Sequence, residues 1–184
     1  MQTNGELEET KRSKMTKAGQ NHIFESWLKE YKLLLFKVVR AYAFTADDQD
    51  DLFQDIALQV WRSVPNFRRE AAVSTWLYRI ALNTAIKWSR KERKHHDGRN
   101  TIEHTTHILI EKADLPDERL EWLYTEISKL NEIDRSLTLL LLDGFSYREM
   151  SQMLGISESN VGVKINRIKK LLIAKSGKYD YHGI

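Results

Sequence analysis

Three features of the sequence predict an all-α fold: two small helical domains, a helical bundle and a helix-turn-helix, joined by a flexible linker. Apolar residues recur at intervals of three and four through most of the chain, the signature of amphipathic helices. Breakers are scarce, with 2 Pro and 8 Gly in 184 residues, too few for the many turns of an all-β fold. A polar stretch at 95–117 separates two helical blocks and reads as the linker.

Residues 1–20 are polar and charged, and read as a flexible N-terminal tail. From Ile23 to Tyr42 the residues Phe24, Trp27, Leu28, Tyr31, Leu34, Leu35, Val38 and Val39 trace the apolar face of a first helix. Thr45 followed by Asp48 resembles a capping box and opens a second helix carrying Leu52, Phe53, Ile56, Ala57, Val60 and Trp61, which Pro65 ends. A short loop from Asn66 to Val73 leads to a third helix, which Ser74 can cap and which runs into a charged segment ending near Lys94. These three helices can share one core, giving a first domain at 21–94.

A second domain is expected at 118–176, followed by a short tail at 177–184. Leu120, Leu123, Ile127 and Leu130 form one helical stripe, and Ile133 to Leu142 another, which Gly144 stops as a C-terminal cap. Ser146 with Glu149 is a capping box for a short helix, Gly155 permits a tight turn, and Ser157 caps a last helix whose Val161, Ile165, Ile168 and Leu172 face inward. That is a helix-turn-helix. Ser151, Gly155 and Val161 supply the small residue, the turn glycine and the inward aliphatic that close crossing of two helices requires.

Composition narrows the function. Hydrophobic residues are 41% and charged residues 30% of the chain, enough for a core and too balanced for a wholly disordered protein. The formal net charge is only +3, yet the pI is about 9.0 and the basic residues are grouped, which suits a polyanionic partner. With no Cys, disulfides, thiolate zinc sites and thiol switching are excluded, and a reducing compartment is expected. The N-terminus has no signal-peptide pattern, and the longest apolar run, Leu137 to Leu142 interrupted by Thr138, is too short to span a bilayer. A cytoplasmic protein without a membrane span is the expectation.

Two basic surfaces carry the chemistry. On the last helix Asn160, Lys164 and Arg167 fall at spacings of four and three away from the buried stripe, with Ser159 beside them and Val163 as an apolar contact for a thymine methyl. Lys169 and Lys170 extend the positive charge toward phosphate. The plain alternative is a solvated helix face. On the third helix Asn83, Lys87, Arg90 and Lys94 form one stripe, with Lys91 and Arg93 beside it. Trp76, Tyr78, Trp88 and the loop residue Phe67 bring flat faces near that charge, the pairing that holds unstacked single-stranded DNA. Trp76 also lines up with Ile80 on an apolar face, and core packing is the reading favoured for it.

No enzyme is expected. The acidic cluster Asp47, Asp48, Asp50, Asp51 and Asp55 is explained by the dipole of a helix N-terminus and lacks calcium-loop spacing. His95, His96, His104 and His107 are sparse in the linker and make no metal site. No nucleophile, phosphate loop or catalytic dyad is visible, and no cofactor is expected.

The segments DDLFQDIALQVWRSVPNF and STWLYRIALNTAIKWSRKERK resemble conserved region 2 of the sigma-70 family of RNA polymerase sigma factors, and FSYREMSQMLGISESNVGVKINRIKKLL resembles its region 4. The resemblance covers most of Phe24 to Leu172, and the absence of other large regions makes the chain similar to the extracytoplasmic-function (ECF) group. It implies a factor that binds core RNA polymerase, directs it to promoters and starts strand opening. By position it implies that Asp51, Leu52, Gln54, Asp55 and Trp61 dock on the clamp helices of the polymerase's largest subunit. It assigns Phe67, Arg68 and Arg69, within the loop Phe67 to Ala72, to capture of a flipped nontemplate base, and Asn83, Lys87, Arg90, Lys91 and Lys94 to the minus-10 element. Ser159, Asn160, Val163, Lys164, Arg167 and Lys170 fall to the minus-35 element, the flap region of polymerase to the C-terminal domain, and an anti-sigma factor to the partners. The chain departs from the family pattern at Lys87, where Asp is frequent, at Gly162 and Val163, where Lys and Ser are common, and at Ser151, usually Ala.

Two other classes compete. A helix-turn-helix regulator acting without being a polymerase subunit would use the first domain for dimerisation or sensing, and polymerase dependence discriminates it. An RNA-binding or scaffold protein predicts affinity for RNA without promoter opening.

Overall fold

Helix formation begins at a polar residue. In the computed structural model, which describes residues 15–96 and 118–176, the Thr16 hydroxyl accepts from the Gly19 N–H and caps α1, Lys17–Tyr42. Residues 17–20, expected in the tail, are therefore helical. They are held by tertiary bonds: Gln20 is buried and its amide donates to the Trp61 carbonyl at 2.7 Å. Thr45 caps α2, Ala46–Ser63, by accepting from the Asp48 N–H, and a 3-10 turn at Val64–Asn66 with Pro65 in its first turn follows. The third helix, α3, spans Val73–His96. It starts earlier than Ser74 could cap it, because the Ala72 carbonyl already accepts from the Trp76 N–H and Ser74 lies inside the first turn. It also runs past Lys94 through His96; the remainder of the expected linker and both outer tails lie outside the described residues.

These three helices bury Leu35, Val38 and Val39 of α1, Leu52, Ile56 and Val60 of α2, and Leu77, Ala81, Leu82 and Ala85 of α3. Each such Leu, Ile or Val contributes about 1.5 to 3 kcal/mol by leaving water. The second domain is built from α4, Glu118–Ser128, α5, Glu132–Leu142, α6, Tyr147–Leu154, and α7, Glu158–Ser176. Its core holds Ile127, Leu137, Leu140, Met150, Met153, Val161, Ile165 and Ile168. Leu120, expected in the α4 stripe, is 43% exposed. After α5, Gly144 takes φ +78°, the Phe145 N–H reaches the Leu140 carbonyl and the Gly144 N–H the Leu141 carbonyl. Those two bonds satisfy carbonyls the helix end would leave open.

The two domains share more than a linker. All residues of α5 from Asp134 to Leu140 are buried, because α1 and α3 of the first domain pack against it as well as α4, α6 and α7 of its own. The Tyr42 hydroxyl donates to the Glu132 carbonyl at 2.6 Å and lies 2.6 Å from the Ser136 hydroxyl. Burial pushes this phenol up to about 12, against the Ser136 bond and the nearby Arg135 charge. Tyr78 of α3 meets Phe145 edge-on at 5.4 Å, and Arg40 of α1 lies over the Tyr124 ring while pairing with Glu121. Where the sequence suggests separate cores, the apolar interior is continuous.

Candidate nucleic-acid interface

Four surfaces foreseen from sequence can be placed. On α2, Asp51, Gln54 and Asp55 are exposed, and Leu58 joins them at 43% exposure. Leu52 is a correction: it is fully buried with Ile56 and Val60, so it supports this helix from within and offers no contact outward. Trp61 is half-buried, and its indole N–H is used by the Asn21 side chain at 2.8 Å.

The loop after α2 is anchored by Phe67, edge-on to Trp27 at 5.2 Å and 5.7 Å from Trp76. Arg68 to Ala72 are exposed. Arg69 sits at φ +58°, a left-handed conformation that costs a side-chain-bearing residue roughly 1 to 2 kcal/mol. Between this loop and α1 opens a cavity of about 490 Å³, lined by Trp27, Val64, Phe67, Arg69 and Val73 among others. Sequence reasoning did not place Trp27 here, since its spacing is that of any core position.

Asn83, Lys87, Arg90 and Lys91 are exposed on α3. At 3.6 residues per turn, Trp76, Asn83, Lys87 and Arg90 fall within about 60° of one another, so the loop that covers Trp76 begins the face that the basic residues continue. Lys94 follows further along α3. A groove of about 380 Å³ between α2 and α3 has Asp55 and Gln59 on one wall and Lys87, Trp88 and Lys91 on the other. Tyr78, considered as a stacking face, is fully buried against Phe145 and cannot serve as one.

In the helix-turn-helix, Ser146 and Glu149 form the complete capping box of α6, and that bonding to the Ser146 hydroxyl and N–H holds the Glu149 carboxyl below its ordinary range. Gly155 adopts φ +68°, the Ser151 hydroxyl donates to the Ile156 carbonyl at 2.6 Å across the turn, and Ser157 caps α7 through the Asn160 N–H. Ser159, Asn160, Val163, Arg167 and Lys170 are exposed. Lys164 is not: its ammonium donates to Asp134 Oδ1 at 2.8 Å, while Arg167 donates to Oδ2 at 2.7 Å. Asn131 adds a third bond at 2.8 Å. The Asp134 side chain is only 4% exposed. Burial alone would raise its carboxyl; the bonds from Lys164, Arg167 and Asn131 outweigh that and hold it below its ordinary 3.8. Sequence gave no sign of Asp134, which lies 30 and 33 positions from its cations. Among the described residues no cluster of His, Asp and Glu could hold a metal ion, and no helix is long and apolar enough to cross a membrane.

The family model for sigma-70 region 2 matches residues 27–95, and that for sigma-70 region 4 matches 120–172. The ECF RNA polymerase sigma factor SigM of Mycobacterium tuberculosis is 25% identical over 165 residues, 84% of this chain and 78% of that protein. The RNA polymerase sigma-H factor of Pseudomonas aeruginosa is 26% identical over 166 residues, 84% of this chain and 86% of that one. In fold, the chain is similar to the sigma factor RpoE of Bartonella quintana, solved in complex with the anti-sigma factor NepR, with a TM-score of 0.65 at 20% identity, covering 80% of this chain and 92% of that one. A helical bundle with a basic helix, followed by a helix-turn-helix, thus defines a transcription initiation factor and not an enzyme. The chain belongs to the sigma-70 family of RNA polymerase sigma factors, in its ECF group, and is an alternative sigma factor that directs polymerase to promoters.

Proposed function

We propose that this sigma factor opens promoter DNA by capturing the nontemplate strand between the Phe67 to Ala72 loop and the α3 stripe. The observation that carries the reading is their shared face: Phe67 packs on Trp76, and Asn83, Lys87 and Arg90 continue the same side of α3. Unpairing is uphill, so the protein must bind the separated strand better than the duplex, and only that difference moves the equilibrium. The cations follow phosphates, and the cavity beside Phe67 and Trp27 receives the extruded base, where stacking contributes roughly 1 to 3 kcal/mol. Exposed Asp51, Gln54 and Asp55 dock α2 on the clamp helices of polymerase's largest subunit, the second domain meets the flap region, and α7 engages the minus-35 duplex. An anti-sigma factor is the proposed regulator, supported by the NepR-bound relative in fold.

Shortening Arg68 to Ala72 to a glycine linker tests the reading. Core binding and closed-complex formation should persist while permanganate-reactive thymines disappear, and a preopened bubble template should restore part of the activity. Wild-type melting by the shortened protein would show the loop to be a connector only.

A further inference from the structure

We infer that the minus-35 element is read at an apolar centre of α7, formed by Val163 with Tyr147 laid over Gly162, which selects thymine methyl groups. The inference rests on the proposed engagement of the minus-35 duplex by α7 and names what that helix distinguishes. The buried stripe of α7 is Val161, Ile165 and Ile168; two residues on from Val161, about 200° round the helix, Val163 points away from the core. It is 67% exposed. One exposed valine is ordinary on a protein surface, but this one has a neighbour. A Cβ placed on Gly162 would lie 3.5 Å from Tyr147 Cε2, so the tyrosine ring rests against α7 where the helix lacks a side chain, and it is itself 41% exposed. Glycine inside a helix costs about 1 kcal/mol relative to alanine, and here it provides the seat for that ring.

The cations beside this centre are held to one flank. Asp134 takes Lys164 through Oδ1 and Arg167 through Oδ2, which turns the Lys164 ammonium toward the protein. Base pairs in the major groove offer one apolar handle, the C5 methyl of thymine, and it is the group that Val163 and the Tyr147 ring can distinguish. Arg167, still 68% exposed, and Lys170 remain for phosphate.

The test uses full-length protein in holoenzyme with core polymerase. An upstream element is first selected from a duplex library randomised at the minus-35 position, and its thymines are then replaced by deoxyuridine, which lacks only the methyl. Each contacted methyl removed should weaken wild-type binding by about fourfold. Val163→Ser and Tyr147→Ala should weaken binding to the thymine template and show no preference between the two templates, whereas Lys170→Ala should weaken both alike and keep the preference. Equal wild-type affinity for the two templates, or retained preference in Val163→Ser with helicity intact, overturns the inference. A library that enriches no upstream element overturns the assignment of α7 to the minus-35 duplex, and this inference falls with it.

Discussion

The two basic helices differ in what their charge is free to do. On α3, Lys87, Arg90 and Lys91 stand exposed, and among the described residues none of them forms an ion pair. On α7, the two central cations share a carboxylate that is almost wholly buried. Equal spacing of cations along a helix therefore does not mean equal positive potential: a carboxylate from another helix converts part of the α7 charge into internal structure. The charge of α3 stays open to an anionic partner, whereas part of the charge of α7 is spent within the fold.

The sharpest way to break this contrast is at α3. Lys87→Glu with Arg90→Glu should abolish promoter engagement by holoenzyme. The milder Lys87→Ala with Arg90→Ala should lower the slope of log affinity against log salt by about two units, one per lost phosphate contact. Filter binding across a salt series measures both, and an unchanged slope in the alanine pair removes α3 from the interface. Next comes Asp134→Asn, which should cost roughly 1 to 2 kcal/mol of stability in urea denaturation, below the full penalty of a broken buried pair because Arg167 can turn to water. The same variant should steepen the salt dependence, since it frees charge that the wild type neutralises.

The seam between the helices should respond less. Tyr42→Phe removes one hydroxyl from Ser136 and the Glu132 carbonyl and should cost about 1 kcal/mol. Because burial raises this phenol from 10 to about 12, its contribution is complete below pH 10 and lost as the pH rises through 12; thermal melts of wild type and Tyr42→Phe should converge over that window. The acid side has the opposite sign. The bonds from Lys129 and Lys175 hold the Glu126 carboxyl below its usual 4.5, and Asp134 is also lowered, so their stabilisation is complete above the ordinary carboxylate range and fades as the pH falls beneath it. Circular dichroism during acid titration should show a smaller pH-dependent loss in Asp134→Asn than in wild type.

Features written in adjacent residues were legible in the sequence. The Ser146 and Glu149 capping box, the Gly155 turn and the Ser157 cap stand where local rules place them, and so do the exposed cations of α3. What depended on distant partners was not legible. Lys17 to Gln20 have no apolar period, and their helix is fixed by Gln20 reaching Trp61 across 41 positions. Leu52 was given a surface role by resemblance, although its spacing of four from Ile56 marks it as core. One apolar stripe is visible on α5, yet polar Ser136 and Thr138 are buried too, because helices of both domains pack against it. The Asp134 clamp needs the folded crossing of α5 and α7 before it exists.

The continuous interior has a thermal consequence. A chain whose halves keep separate cores can melt in two steps, each domain at its own temperature. Here α5 serves both halves, bonded to Tyr42 of α1 through Ser136 and packed against α7 as well. Neither half can unfold without stripping the other of a wall, so a calorimeter should record one cooperative peak, and a lesion on either side of α5 should move all of it.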